Sequence, residues 1–132
     1  MTKKFKFRVK VYYEDTDAGG VVYHANYLKF LERARSEAIY SLGYTNSGLF
    51  EDYGVLLIVK SCNIEYKKPA KFEDKLDIVS EVVSFTKTSF IMKQNILRNE
   101  ELISIAEIHL VSVDKDGKPS KVPDELKQKL EN

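Results

Sequence analysis

Two adjoining stretches decide the fold: YYEDTDAGGVVYHANY (Tyr12–Tyr27) and LKFLERARSEAIYSL (Leu28–Leu42). The first is a polar turn in which Glu14, Asp15 and Asp17 precede Gly19 and Gly20, with Val21, Val22, Tyr23 and His24 after them. The second carries Leu28, Leu31, Ala34 or Arg35, Ala38 and Leu42 at three- and four-residue spacing, which predicts an amphipathic helix. Glu32, Arg33, Ser36 and Glu37 fall largely on its other face. Asn26 is the expected N-cap, so the helix should start near Tyr27, and Gly43 should close it. A strand that feeds a glycine loop, and a loop that feeds a helix, aims backbone N–H groups and the positive end of the helix dipole at whatever binds there.

Upstream, Phe5, Phe7, Val9, Val11 and Tyr13 alternate with Lys4, Lys6, Arg8 and Lys10, the period of a half-buried first strand. Residues 44–54 read as a loop with a helical turn at Ser47–Tyr53. Four β segments follow. The first, Val55–Tyr66, starts as the apolar run VLLIV, as a strand buried on both faces at one end would. KKPAKFED breaks it, because Pro69 cannot donate to a ladder. Leu76–Phe85, Phe90–Leu97 and Leu102–Val113 are the rest, joined by FTKTS and Arg98-Asn99-Glu100. DKDGKP is a turn, and Pro123–Leu130 reads as a short, exposed terminal helix. Short hairpins make the later strands antiparallel. One long helix and one five-stranded sheet give a two-layer α+β fold, with the sheet curved around the helix. Such a sheet has apolar edges, and pairing with a second copy would cover part of them, so a homo-oligomer is expected.

The chain has 132 residues, which suits a single domain over 1–132. Its net charge of +1 gives no bias toward nucleic acid or a membrane surface. One cysteine, Cys62, excludes an intrachain disulfide framework and fits a reducing, cytoplasmic setting. The N-terminus lacks the apolar core of a secretory leader, and no apolar run approaches the ~20 residues of a transmembrane segment.

Asp17 is the first candidate for chemistry. A carboxylate at the strand-to-helix turn can take a proton from water or attack an electrophile itself. The plainer reading is that Asp15 and Asp17 cap a turn, as Asp does in many loops. His24, seven residues on, can orient a substrate, share a proton, or act through a backbone N–H left free at the helix start. His109 lies inside an alternating strand and reads as structural or as lining an interface between copies. No metal is implied, since two His and one Cys are scattered without ligand spacing. Cys62 sits in a strand pattern, away from any activating helix start. There is no phosphate-binding P-loop or dinucleotide fingerprint, and no cofactor is called for. Lys67, Lys68 and Lys71 cluster beside Pro69, and Lys87 lies in FTKTS. Singly they are solvated loop ends; together they suit the phosphates of a nucleotide-bearing ligand.

The run YYEDTDAGGVVYHANYLKFLERAR resembles the acyl-CoA thioesterases of the hotdog fold, in the 4-hydroxybenzoyl-CoA thioesterase superfamily. Within it the YbgC-type branch, found with the Tol–Pal envelope system, is nearest. The pattern is carried by Tyr13, Asp15, Asp17, Gly20, Val22, Tyr23, Asn26, Tyr27, Glu32, Ala34 and Arg35. The resemblance implies a long helix wrapped by a five-stranded antiparallel sheet, with sheets joined in a dimer. It implies Asp17 as catalytic nucleophile or base, and the N–H at His24 as donor to the thioester carbonyl, with its ring as a further aid. Gly20, Val22 and Tyr23 would lie against the substrate. In the turn where aromatic-substrate members carry arginines, Lys87 is the only cation, leaving coenzyme A phosphates to Lys87 or to lysines 67, 68 and 71. The partners implied are acyl-CoA, further copies of the chain (a dimer of dimers or larger), and an acyl carrier protein or inner-membrane lipid enzymes. Two other functions compete: an acyl-thioester or carrier-protein binding scaffold with little hydrolysis, and an enoyl-CoA hydratase.

Overall fold

The computed structural model describes residues 3–132, so the first two residues of the N-terminal leader reading lie outside it. The elements are β1 (Lys4–Lys10), a 3-10 turn (Tyr13–Asp15), α1 (His24–Ser41), α2 (Asn46–Tyr53), β2 (Leu56–Tyr66), β3 (Lys75–Phe85), β4 (Ser89–Arg98), β5 (Glu101–Val113) and α3 (Asp124–Glu131). The five strands form one antiparallel sheet in the order β1-β3-β4-β5-β2. This is the expected α+β architecture.

The sheet alternates as period two requires. Leu76, Ile78 and Val82 on β3, Phe90, Met92 and Ile96 on β4, and Ala106, Ile108 and Leu110 on β5 face the core. The sheet bends at irregularities in register between Val59 and Ser61 and between Val82 and Ser84. Helix α1 fills the inner face and packs on β1 and β3.

Four local expectations need correction. The helix starts at His24, not near Tyr27, and Tyr23 is its N-cap. Asn26 is instead buried in the first turn, where its side chain is drawn inward by the Asp15 carbonyl. The buried face is therefore Tyr27, Phe30, Leu31, Ala34, Ala38 and Ile39, while Leu28 is exposed. β1 stops at Lys10: Val11 turns to the β2–β3 connection, pairing with Asp74 and Glu73, and the Tyr13 ring stacks on Phe72 at 4.0 Å. β2 is not buried on both faces. It is an edge strand, with Leu56, Ile58 and Val59 exposed. The terminal helix is exposed on one side only, because Leu126 and Leu130 join Val122 in the core.

Candidate active site

Residues 15–23 form a tight hairpin. The Asp17 N–H donates to the Val21 carbonyl at 2.9 Å, and Thr16 bridges Val22. Gly20 takes φ +78°, a left-handed conformation that glycine adopts without strain. The hairpin is anchored to the β2–β3 connection: Val22 N–H donates to Ala70 at 2.8 Å, and Phe72 N–H to Gly20 at 3.3 Å.

The two aspartates divide their work. Asp15 is structural. Its carboxylate accepts the Tyr12 N–H at 2.9 Å, and its carbonyl accepts from the Tyr23 N–H at 3.0 Å and the Asn26 side chain at 2.8 Å. That carbonyl fixes the helix start. Asp17 accepts the Gly19 N–H on Oδ1 at 2.8 Å, and its Oδ2 has no hydrogen bond among the described residues. The turn-capping reading thus holds for Asp15 and for one oxygen of Asp17.

At the helix start, the N–H groups of His24 and Ala25 have no acceptor among the described residues. They carry the positive end of the α1 dipole. Asp17 lies opposite Val21 in the hairpin, and His24 follows the hairpin's last residue, Tyr23, so the loop carries the carboxylate and leads directly into the free donors. The His24 ring packs on Tyr66 with centroids 4.9 Å apart, and Tyr66 meets Tyr27 edge-on at 5.1 Å. The Tyr27 hydroxyl accepts the Ala70 N–H at 3.0 Å. Burial raises the pKa of both tyrosines.

A cleft of about 220 Å³ opens beside the hairpin, lined by Val22, His24, Tyr27, Tyr66, Lys67 and Lys68, among others. Both of these lysines are already paired, Lys67 with Glu65 at 2.7 Å and Lys68 with Glu101 at 2.6 Å. Glu101 also holds Arg98, which reaches Asp74 at 2.6 Å and the Pro69 carbonyl at 3.1 Å. Lys68 first, then Arg98, pulls the Glu101 carboxyl down to about 2.

The fold places Asp17, Gly20, Val22 and Tyr23 on the hairpin and His24 directly after it; of these Val22 and His24 line the cleft, and Tyr23 is exposed. It separates Lys87 from them. Lys87 lies in the β3–β4 turn, and the length of β3, roughly 33 Å at ~3.3 Å per residue, intervenes. Sequence reasoning missed Tyr66 and the buried role of Asn26. An aromatic ending an apolar strand just before Pro69 was the signal for the former. Among the described residues no cluster suits a metal ion, and no helix is long and apolar enough to cross a membrane. Cys62 is a free, exposed thiol on β2.

The thioesterase-like superfamily model matches residues 11–130. A Haemophilus influenzae protein named acyl-CoA thioesterase YbgC is 42% identical over 124 residues, 93% of this chain and 91% of its own length. The crystal structure of a probable thioesterase from Bartonella henselae superposes with a TM-score of 0.87 at 32% identity, covering 92% of this chain and all of that one. A 4-hydroxybenzoyl-CoA thioesterase mutant solved with 4-hydroxybenzoyl-CoA shares the fold (TM-score 0.89, 19% identity, 96% of this chain and 98% of that one). With its hairpin, helix start and antiparallel sheet matched over nearly their whole length, this chain belongs to the thioesterase-like superfamily, in its YbgC branch.

Proposed function

We propose that residues 1–132 act as one thioesterase domain that hydrolyses acyl-CoA to a carboxylic acid and free coenzyme A. The observation that carries this is an unengaged Asp17 oxygen on the hairpin that leads straight into the helix start, where the His24 N–H is unengaged. The thioester carbonyl accepts from the His24 N–H, which stabilises the oxyanion as it forms. The Asp17 carboxylate completes the step in one of two ways. It removes a proton from the attacking water, or it attacks the carbonyl carbon, expelling the thiolate and leaving an anhydride that water then cleaves. The names of the relatives support the substrate class.

In this reading the molecule works as an oligomer built on a dimer. β2 pairs antiparallel with its copy, covering Leu56, Ile58 and Val59. That pairing sets the Tyr66 end of one β2 against the Leu56 end of the other. The partner's β3–β4 turn then lies toward the hairpin, and the partner's Lys87 comes within reach of coenzyme A phosphates. A lone unpaired thiol suits a cytoplasmic setting.

The test is thiol release from acyl-CoAs by wild type and Asp17→Asn. A loss of about 10²–10⁴-fold in the variant, with acyl-CoA binding retained, is expected. Equal rates in both proteins would overturn the reading. A single turnover in ¹⁸O-water separates the two routes. Label enters the acid in the first turnover if Asp17 is the base. It enters the Asp17 carboxylate if that carboxylate attacks and water then cleaves at the aspartyl carbonyl.

A further inference from the structure

The cleft beside the hairpin holds an imidazole that no polar group ties down. His24 is exposed, and neither of its ring nitrogens has a hydrogen bond to a described residue. Its nearest ring neighbour is Tyr66, the last residue of β2, with centroids 4.9 Å apart and planes inclined at 44°. The Tyr23 ring lies farther off, at 6.4 Å. Tilted rings at the shorter of these separations attract one another. Tyr66 is half-exposed but is steadied in turn, since it meets Tyr27 edge-on and Tyr27 is buried in the core with its hydroxyl on the Ala70 N–H. All three rings line the cleft, and they run from a fixed one in the core to a loosely held one at the helix start. The Tyr66 hydroxyl makes no hydrogen bond among the described residues, so what Tyr66 supplies here is its ring.

An exposed imidazole can turn about two side-chain bonds, and only some of its directions set a nitrogen where a thioester at the helix start would lie. We propose that Tyr66 is the residue that positions the His24 ring, fixing the direction in which a ring nitrogen meets the bound thioester. Tyr66 touches no reacting atom in this scheme and acts only through His24. Its loss should therefore cost orientation within the bound complex, which is read in kcat, more than binding, which is read in KM. This rests on the thioesterase reading, in which the backbone N–H of the same histidine holds the carbonyl.

The experiment measures kcat and KM for the acyl-CoA that wild type hydrolyses fastest. Tyr66→Leu should lower kcat by about tenfold with KM within about twofold, and Tyr66→Phe, which keeps the ring, should restore most of the loss. His24→Ala removes the ring and keeps the backbone N–H. In that background Tyr66→Leu should cause no further fall, because the two residues act as one unit. A Tyr66→Leu enzyme as active as wild type, a rise in KM alone, or an equal loss in both backgrounds would overturn the proposal. A second measurement does not depend on a variant at Tyr66. The chain has two histidines, so His24→Ala assigns the imidazole signals by NMR. Wild type should show nuclear Overhauser contacts between the His24 and Tyr66 ring protons, and their absence would also overturn it. Loss of hydrolysis in Asp17→Asn with Tyr66→Leu unaffected would sink the Tyr66 proposal and keep the thioesterase reading. No hydrolysis of any acyl-CoA would sink both.

Discussion

The two edges of the sheet are built to opposite rules. β1 presents Lys4, Lys6, Arg8 and Lys10 toward solvent, and Lys6 and Arg8 both lean on Asp77 of the neighbouring strand. Charges of one sign along an edge repel a second such edge, a common device against unwanted pairing. β2 presents Leu56 at 41% exposure, Ile58 at 46% and Val59 at 47%. It carries one lysine, Lys60, at the register irregularity. Only the second edge is fit to be covered, and it is the edge whose end carries Tyr66 against His24. The difference teaches that the open edge of the sheet and the proposed active site lie on the same side of the molecule.

The strongest way to break the comparison is to charge both edges. Ile58→Lys sets like charges close together across a β2 pair, and we expect a monomer by sedimentation and at least a hundredfold loss of thioester hydrolysis. Phe7→Lys on β1, a half-buried position, should lower stability yet leave the assembly intact. If both variants dissociate, or neither does, the edges are not distinguished as described.

A smaller effect sharpens the same point at the hairpin. Asn26→Ala removes a bond to the Asp15 carbonyl, which keeps the Tyr23 N–H. The stability cost should therefore stay near 1 kcal/mol in urea unfolding, since no buried acceptor is orphaned. Hydrolysis should fall by more than that cost implies, because the helix start is no longer fixed.

The smallest effect concerns pH. The folded Glu101 pKa, about 2, lies below its usual 4.5, so its contribution to stability is present above about 4.5 and is lost as pH falls toward 2. Acid unfolding of Glu101→Gln should consequently show a shallower dependence over that window, read by circular dichroism. An unchanged acid limb would mean that the Lys68–Glu101–Arg98 cluster stabilises nothing.

How much of this was legible in the sequence follows from how local each cause is. The β1 alternation is short-range and read correctly as far as Lys10, and the glycine turn after it was expected, but its folding into a hairpin from Asp15 to Tyr23 was not. Nor was the helix start, since a carbonyl eleven residues upstream of Asn26 draws that side chain inward and leaves Tyr23 as the cap. The terminal helix looked exposed because two leucines in a charged octet give little signal, yet Leu126 and Leu130 lie one turn apart and pack on the core. VLLIV looked doubly buried because its apolar run is the same for a central strand and for an edge awaiting a partner. Lys87 is seventy residues from Asp17 in sequence, and only the strand register reveals that it sits at the far end of its own sheet.

The Asp15–Tyr23 hairpin has one more consequence. Its turn is set by nine consecutive residues, yet the turn hangs on Ala70 and Phe72 of the distant β2–β3 connection. Loop and anchor must therefore be inherited together, because a change of length between Tyr66 and Lys75 would displace the hairpin without altering any of its own residues.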